Sequence, residues 1–315
     1  MSLALGTLPG AGGVRADRRG ARILVRRFAR NRLAAAGLVV FGLVALLALL
    51  APWVAPQSPV RTDFAAYLRP PGPRHLMGTD ELGRDVLSRV IFGARASLEA
   101  GIIAVGLAIG AGVPLGLAAG FYRGPLDDAL MRLTDAMLSF PQLMLALAVA
   151  AVLGPGLGKA MIAIAVVLTP VFMRLMRAQV LTEREREYVD AARAMGASDR
   201  RIIWRHLLPN SVAPIVVQGS LSVAGAIITE ATLSFLGLGT QPPTPSWGSM
   251  LNAAQQYLTQ APWLSFWPGL AIAVTVFSVN VAGDGIREVW DPRTRLACRV
   301  VPAGAMRRRG APPPY

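Results

Sequence analysis

Between residues 33 and 283 the chain repeatedly runs for long stretches without a charged side chain: 33–55, 100–122, 136–158, 160–173, 207–229 and 264–283. A hydrocarbon solvent imposes that pattern. A helix needs roughly 20 apolar residues to cross the ~30 Å core of a bilayer, and its backbone groups must bond within the segment. The runs therefore predict an all-α polytopic membrane protein with six transmembrane helices. The fourth run is short; it reaches spanning length from near Gly154 if the Lys159 ammonium extends to the interface. Composition agrees, with 53% hydrophobic and 16% charged residues.

The chain carries a net charge of +14, nearly all of it from arginine, since Lys159 is the only lysine. Such a charge suits a nucleic-acid binder, but these arginines cluster at the ends of apolar runs, so no nucleic-acid partner is expected. Segments 1–32, 123–135, 174–206 and 284–315 hold 8, 2, 8 and 7 arginines, 25 of the 31. Segment 56–98 holds the other six beside four acids, and 239–263 has no formal charge. The positive-inside rule then supports six spans with both termini in the cytoplasm of a multi-pass membrane protein. The expected organisation is a basic cytoplasmic tail at 1–32, a first transmembrane helix at 33–55, an extracytoplasmic segment at 56–98, a membrane core at 96–288 and a cytoplasmic tail at 289–315. The run at 33–55 exceeds the 7–15 residues of a signal-peptide core and reads as a retained helix. The stretch 239–262, rich in Gln, Thr, Pro and Ser, reads as a loop.

Segment 183–210 is the most polar interior stretch. In helical spacing Tyr188, Ala192 and Met195 share one face, and Arg186, Asp190 and Arg193 share another. Gly196 fits a helix C-cap, and Ser198 or Asp199 can cap a second helix carrying Ile203 and Leu207. Pro209 and Asn210 mark re-entry into the membrane. The apolar stripe suits either close approach by another protein or rest on the bilayer surface.

Several chemistries lack their residues. Cys298 is the only cysteine, and His75 and His206 are the only histidines, which leaves little for a metal site. The one Gly-Lys pair, Gly158-Lys159, is followed by Ala160 and preceded five positions earlier by Leu153, so there is no phosphate-binding loop. The chain is expected to have no enzymatic activity and no cofactor of its own. Glu230, in or near a membrane helix, is costly to bury and marks either a functional group or a polar helix end. Asn280 in the last run is expected to hydrogen-bond between helices. Arg174 and Arg177 read as anchors at the end of the fourth helix. Segment 80–95 reads as the rim of an outer mouth or a cover over helix ends. An ion-coupled transporter would show inverted repeats and midplane acids, of which only Glu230 is a candidate. The many small and polar residues in the spans argue against a mere anchor.

The stretch Asp190-Ala191-Ala192, Gly196 and Leu208-Pro209 resembles the EAA loop of ABC importer permeases, with aspartate where glutamate is usual. His75-Leu76-Met77-Gly78-Thr79-Asp80-Glu81-Leu82-Gly83-Arg84-Asp85 is similar to the hallmark after the first helix in C-type dipeptide and oligopeptide permeases. Gly93–Leu98 fits the start of that subfamily's second helix, Glu230–Gly239 and Ser246-Trp247-Gly248 resemble its fifth helix and outer loop, and the likeness runs from about residue 25 to 296. The resemblance implies half of a translocation pathway for peptides or related small solutes. It implies a sister permease, two cytoplasmic ATPase subunits that bind the ATP, and an extracytoplasmic substrate-binding protein. In that family the loop docks in a groove of the ATPase, which gives Asp190, Ala191, Ala192, Gly196, Leu208 and Pro209 that role here. Glu230 and Asn280 are the candidates for a translocation path. No residue chooses among dipeptides, oligopeptides, nickel complexes, glutathione and sugars.

Overall fold

The computed structural model describes residues 31–290; the expected tails at 1–32 and 289–315 lie almost wholly outside the described residues. Among the described residues the fold is all-helical, with one isolated backbone bridge between Thr79 and Asp85. Five helices are long and apolar enough to cross a membrane, and a bent pair adds a sixth if it counts as one span.

The first span is α1 (Arg32–Leu49), with a short continuation α2 (Ala51–Val54). Asn31 caps it, its Oδ1 accepting from the Ala34 amide at 3.1 Å, while its Nδ2 donates to Glu288 at 2.8 Å. Gly37 lets α1 approach the last helix closely: a Cβ there would stand 2.9 Å from the Ser278 carbonyl oxygen.

The second span, α3 (Val86–Tyr122), takes in Gly93–Leu98 as the resemblance implies and begins two turns earlier, so 86–92 of the expected extracytoplasmic segment is helical as well. The charges that disguise this start are neutralised at the helix end. Asp85 caps α3 by accepting from the Ser88 amide at 2.9 Å and contacts His75 Nδ1 at 3.0 Å. Asp80 accepts from Arg84 Nε at 2.6 Å and lies 3.3 Å from Arg89, and Glu81 accepts from Arg84 at 2.8 Å. Both arginines are buried. A lone buried cation would be costly; paired with carboxylates it is tolerated.

The polar link at 123–135 forms an amphipathic helix, α4 (Pro125–Leu138), and the expected single helix at 136–158 is only α5 (Gln142–Leu153). The two meet at 97°. The corner is Phe140-Pro141: proline supplies no amide for a continuing helix and pushes the residue before it out of helical geometry. At 1.5 Å per residue, the 12 residues of α5 rise about 18 Å, short of a full bilayer core.

The fourth span, α6 (Leu157–Glu183), is 27 residues long and takes in Arg174 and Arg177. It packs on α3 along Gly112, Gly116 and Gly120, one small residue per helical turn. A Cβ on Gly112 would lie 2.7 Å from the Thr169 carbonyl oxygen, and one on Gly120 would lie 2.8 Å from Val180 Cβ. Small residues at this spacing let membrane helices come into backbone contact.

After a short α7 (Glu187–Ala194), the chain enters α8 (Asp199–Ile202), a π-turn (Ile203–Leu207) and α9 (Leu208–Phe235) without a break. Pro209 therefore does not separate a surface helix from the span. Its missing amide is absorbed by the wider turn, in which the Leu208 amide reaches back to the Ile203 carbonyl. The stretch expected to be a loop at 239–262 contains α10 (Trp247–Ala254), opened by a reciprocal cap between Ser246 and Ser249. The last span is α11 (Trp263–Trp290). The main core, which includes Phe172, Met176, Ile164, Leu168 and Leu207, lies between α3, α6 and α9.

Candidate functional site

The segment joining α6 to α9 stands at the end of the bundle where α3 finishes. Gly196 adopts φ +76° after α7, the left-handed geometry that favours glycine, and nothing lies near its missing Cβ. Its amide donates to the Arg193 carbonyl at 2.9 Å and the Ala197 amide to the Ala192 carbonyl at 3.0 Å, which closes α7 and turns the chain into α8.

The inward face of α7 is Val189 and Ala192, both buried, while Tyr188 and Met195 are exposed. The expected stripe of Tyr188, Ala192 and Met195 is therefore corrected by about one position. Only Ala192 of the three faces the chain's own core, and it packs there with Ile202, Ile203 and Leu207. Asp190, Ala191, Arg193, Ala194, Met195 and Gly196 form the outward surface. Asp190 lies 3.6 Å from Arg193. Of the remaining candidates, Pro209 is exposed and Leu208 half-buried against the main core. Ala192 thus supports the segment from within, whereas Asp190 and Ala191 are available to a partner.

Polar contacts fix this segment to the bundle. Tyr188 donates to Glu183 at 2.8 Å and accepts from Asn210 at 3.3 Å, tying the end of α6 to the start of α9. Partial burial, and then the Glu183 contact, push the Tyr188 phenol above its ordinary range. Arg184 donates to the carbonyls of Phe121 at 2.8 Å and Gly120 at 3.3 Å. Burial, followed by repulsion from Arg123 and Arg193, lowers its pKa. Arg123, at the corner between α3 and α4, pairs with Glu185 at 2.8 Å.

Arg174 and Arg177 do more than mark a helix end. Arg177 makes a two-pronged contact with Asp127 of α4 at 2.5 and 2.6 Å, and Arg174 pairs with Asp135. Thr134, between those acids, donates to the Met173 sulfur at 3.3 Å. The amphipathic helix is thereby clamped along α6. Acids at 127 and 135, two turns apart, carry the signal for these pairs in the sequence, but a polar stretch whose partners lie 39 and 50 residues on reads as a link.

Glu230 and Asn280 are not brought together. Glu230 is 0% exposed, with Oε2 accepting from Ser97 of α3 at 3.1 Å and Oε1 from Ser234 at 2.6 Å. Asn280 is exposed on the face of α11 that also carries Val274 and Phe277. Among the described residues, no cluster of three or more histidine, cysteine or acidic side chains is arranged to hold a metal ion.

Comparison with known proteins assigns this architecture to a class. Residues 112–296 match the family of binding-protein-dependent transport system inner membrane components, and the chain belongs to that family. Residues 21–71 further match the N-terminal transmembrane domain of oligopeptide transport permease C, which places the chain in the C-type branch. Among curated relatives, the di/tripeptide transport system permease protein DppC of Pseudomonas aeruginosa is 47% identical over 276 residues, covering 86% of this chain and 91% of the relative. The dipeptide transport system permease protein DppC of Alkalihalophilus pseudofirmus is 43% identical, covering 86% and 89%. The glutathione transport system permease protein GsiD of Pectobacterium atrosepticum is also 43% identical, covering 86% and 90%. A chain of the MetNI methionine ABC transporter, in an inward-facing conformation, superposes with a TM-score of 0.54 at 19% identity, covering 64% of this chain and 95% of that one; this likeness is one of fold.

Proposed function

We propose that this permease subunit forms half of an import pathway for di- or oligopeptides, driven by ATP hydrolysis on partner subunits. The observation that carries the reading is the α7–Gly196–α8 segment. It is a short helix anchored to the bundle by Ala192, Tyr188 and Arg184, with Asp190, Ala191 and Arg193 turned outward. A rigid outward face at the foot of two spans suits docking to an ATPase, and the anchors suit transmission of its movement into α6 and α9.

The same reading supplies the rest of the assembly. A sister permease completes the pathway, two cytoplasmic ATPase subunits bind the ATP, and an extracytoplasmic binding protein delivers solute. This chain then has no ATPase or cofactor of its own. The arginine distribution supports a cytoplasmic position for segment 174–206 and for both termini. The peptide substrate rests on the names of the DppC relatives, and a glutathione permease at similar identity keeps the class at small peptides.

The test is copurification of the ATPase subunits with Asp190→Lys and Ala191→Arg, both on the outward face and outside the spans. Normal membrane levels with weak ATPase recovery and lost substrate-stimulated hydrolysis are expected. Full recovery and full stimulation in both variants would remove this segment from the interface.

A further inference from the structure

The stretch from Glu230 to Gly248 begins near the end of α9 remote from the α7–Gly196–α8 segment, and its distinctive residues converge on one joint. Glu230 sits on α9, with Ser97 of α3 and Ser234 bonded to opposite carboxyl oxygens. The Ser234 hydroxyl in turn accepts the Thr240 amide at 3.0 Å, beyond the end of α9. Beyond the end of α9 follow Thr240, whose Oγ1 has no hydrogen-bond partner among the described residues, and Ser246, whose hydroxyl contacts Ser249 at 3.3 Å. All five side chains are buried, in a chain where a membrane-embedded acid is costly.

Around this polar hub the backbone is packed at contact distance. A Cβ on Gly239 would fall 2.8 Å from Ser234 Cα, and one on Gly248 would fall 2.7 Å from Ala231 Cα. Trp247 is 1% exposed, donates its indole N–H to the Val90 carbonyl at 3.0 Å, and lies where a Cβ on Gly93 would meet it at 3.1 Å. Asn252 of α10 donates to the Phe235 carbonyl at 2.6 Å.

We propose that Glu230 is a positioning residue: its carboxyl, hydrogen-bonded through Ser97 and Ser234, seats α10 across the ends of α3 and α9, rather than touching solute. The buried, doubly bonded carboxyl leaves no face open to a pathway. Both partners are hydroxyls, which donate and accept, so hydrogen-bonding capacity rather than charge holds the joint. Glutamine in the same rotamer accepts one bond and donates the other. Leucine fills the volume and makes neither.

This inference rests on the transport reading for its second readout only. The first readout is amide hydrogen exchange over residues 240–254 in the assembled complex in nanodiscs. Glu230→Leu removes both bonds and should speed exchange there by at least about tenfold, with exchange in α6 unchanged. The second readout is ATP-driven uptake per assembled complex, which should lose Vmax while KM stays fixed. Glu230→Gln should stay within about twofold of the parent in both. If Glu230→Leu fails to assemble, Ser97→Ala removes one bond to the carboxyl, Ser234→Ala removes the other together with the acceptor of the Thr240 amide, and both should give the same directions. Unchanged exchange in Glu230→Leu, or in both serine variants, overturns the proposal. So does a Gln variant that behaves like Leu, because charge would then be the active property. Absence of uptake by the parent complex would defeat the transport reading while leaving the exchange result to decide the joint.

Discussion

Gly116 offers a quantitative test of the contact between α3 and α6. A Cβ at this position would overlap the Met173 carbonyl oxygen and lie 2.9 Å from Met176 Cβ, both on a packed helix that cannot yield like a side-chain tip. Gly116→Ala must therefore push the helices apart. Overpacking of this kind costs about 1–3 kcal/mol, and the helix propensity gained by replacing glycine returns about 1 kcal/mol. The net expectation is a loss of up to about 2 kcal/mol. Gly106 lies on the same helix with nothing within 4 Å of its missing Cβ, so Gly106→Ala has no steric cost and should be neutral or stabilising by up to about 1 kcal/mol. Reversible unfolding of the purified chain in mixed micelles of rising SDS fraction, followed by tryptophan fluorescence, measures both. A Gly116→Ala chain at least as stable as the parent would refute backbone contact at this interface.

Further expectations concern the charges and the topology. Arg177→Ala leaves Asp127 buried without its partner and should cost about 3 kcal/mol in the same assay; Arg177→Lys, a point charge without the planar fork, should recover only part of that. The Tyr188 phenol is neutral in the folded chain over a wider pH range than in the unfolded one. Its contribution to stability is therefore present below the ordinary tyrosine pKa and is lost as pH rises through the elevated folded value; Tyr188→Phe should abolish that alkaline step in a pH series of unfolding curves. Cysteines introduced at Ser58 and Gln256 in a Cys298→Ser background should react with an impermeant thiol reagent in whole cells, whereas one at Ser198 should not; the opposite labelling pattern would invert the topology.

The spans were legible because lipid imposes a one-dimensional constraint, the charge-free run, that composition displays directly. The errors fall where that constraint is relaxed by partners distant in sequence. Arg89 reads as a loop residue until Asp80 and the Pro59 carbonyl are seen to bond it, and the start of α3 was missed for that reason. The polar α4 reads as a link because its acids have no visible partner until Arg174 and Arg177 are set beside them. The break at Pro141 was readable from proline chemistry, and so was the start of α10, where Ser246 precedes Ser249 by three residues. The candidate segment was legible as far as the Gly196 turn. Its orientation was not, since Val189 rather than Tyr188 proves to face the core, and an eight-residue helix gives periodicity too few turns to fix the phase. The serine partner of Glu230 on α3 lies 133 residues away, and no local pattern announces it.

The central claim is that this chain conducts small peptides inward under power supplied by other subunits. The most direct measurement is uptake of a radiolabelled dipeptide into proteoliposomes holding this chain, its sister permease and both ATPase subunits. Binding protein is supplied on one face and ATP on the other. The account predicts accumulation that requires the binding protein and hydrolysable ATP, and that falls when Asp190→Lys replaces the parent chain. Accumulation without ATP, or ATP-driven uptake unaffected by Asp190→Lys and Ala191→Arg together, would contradict it.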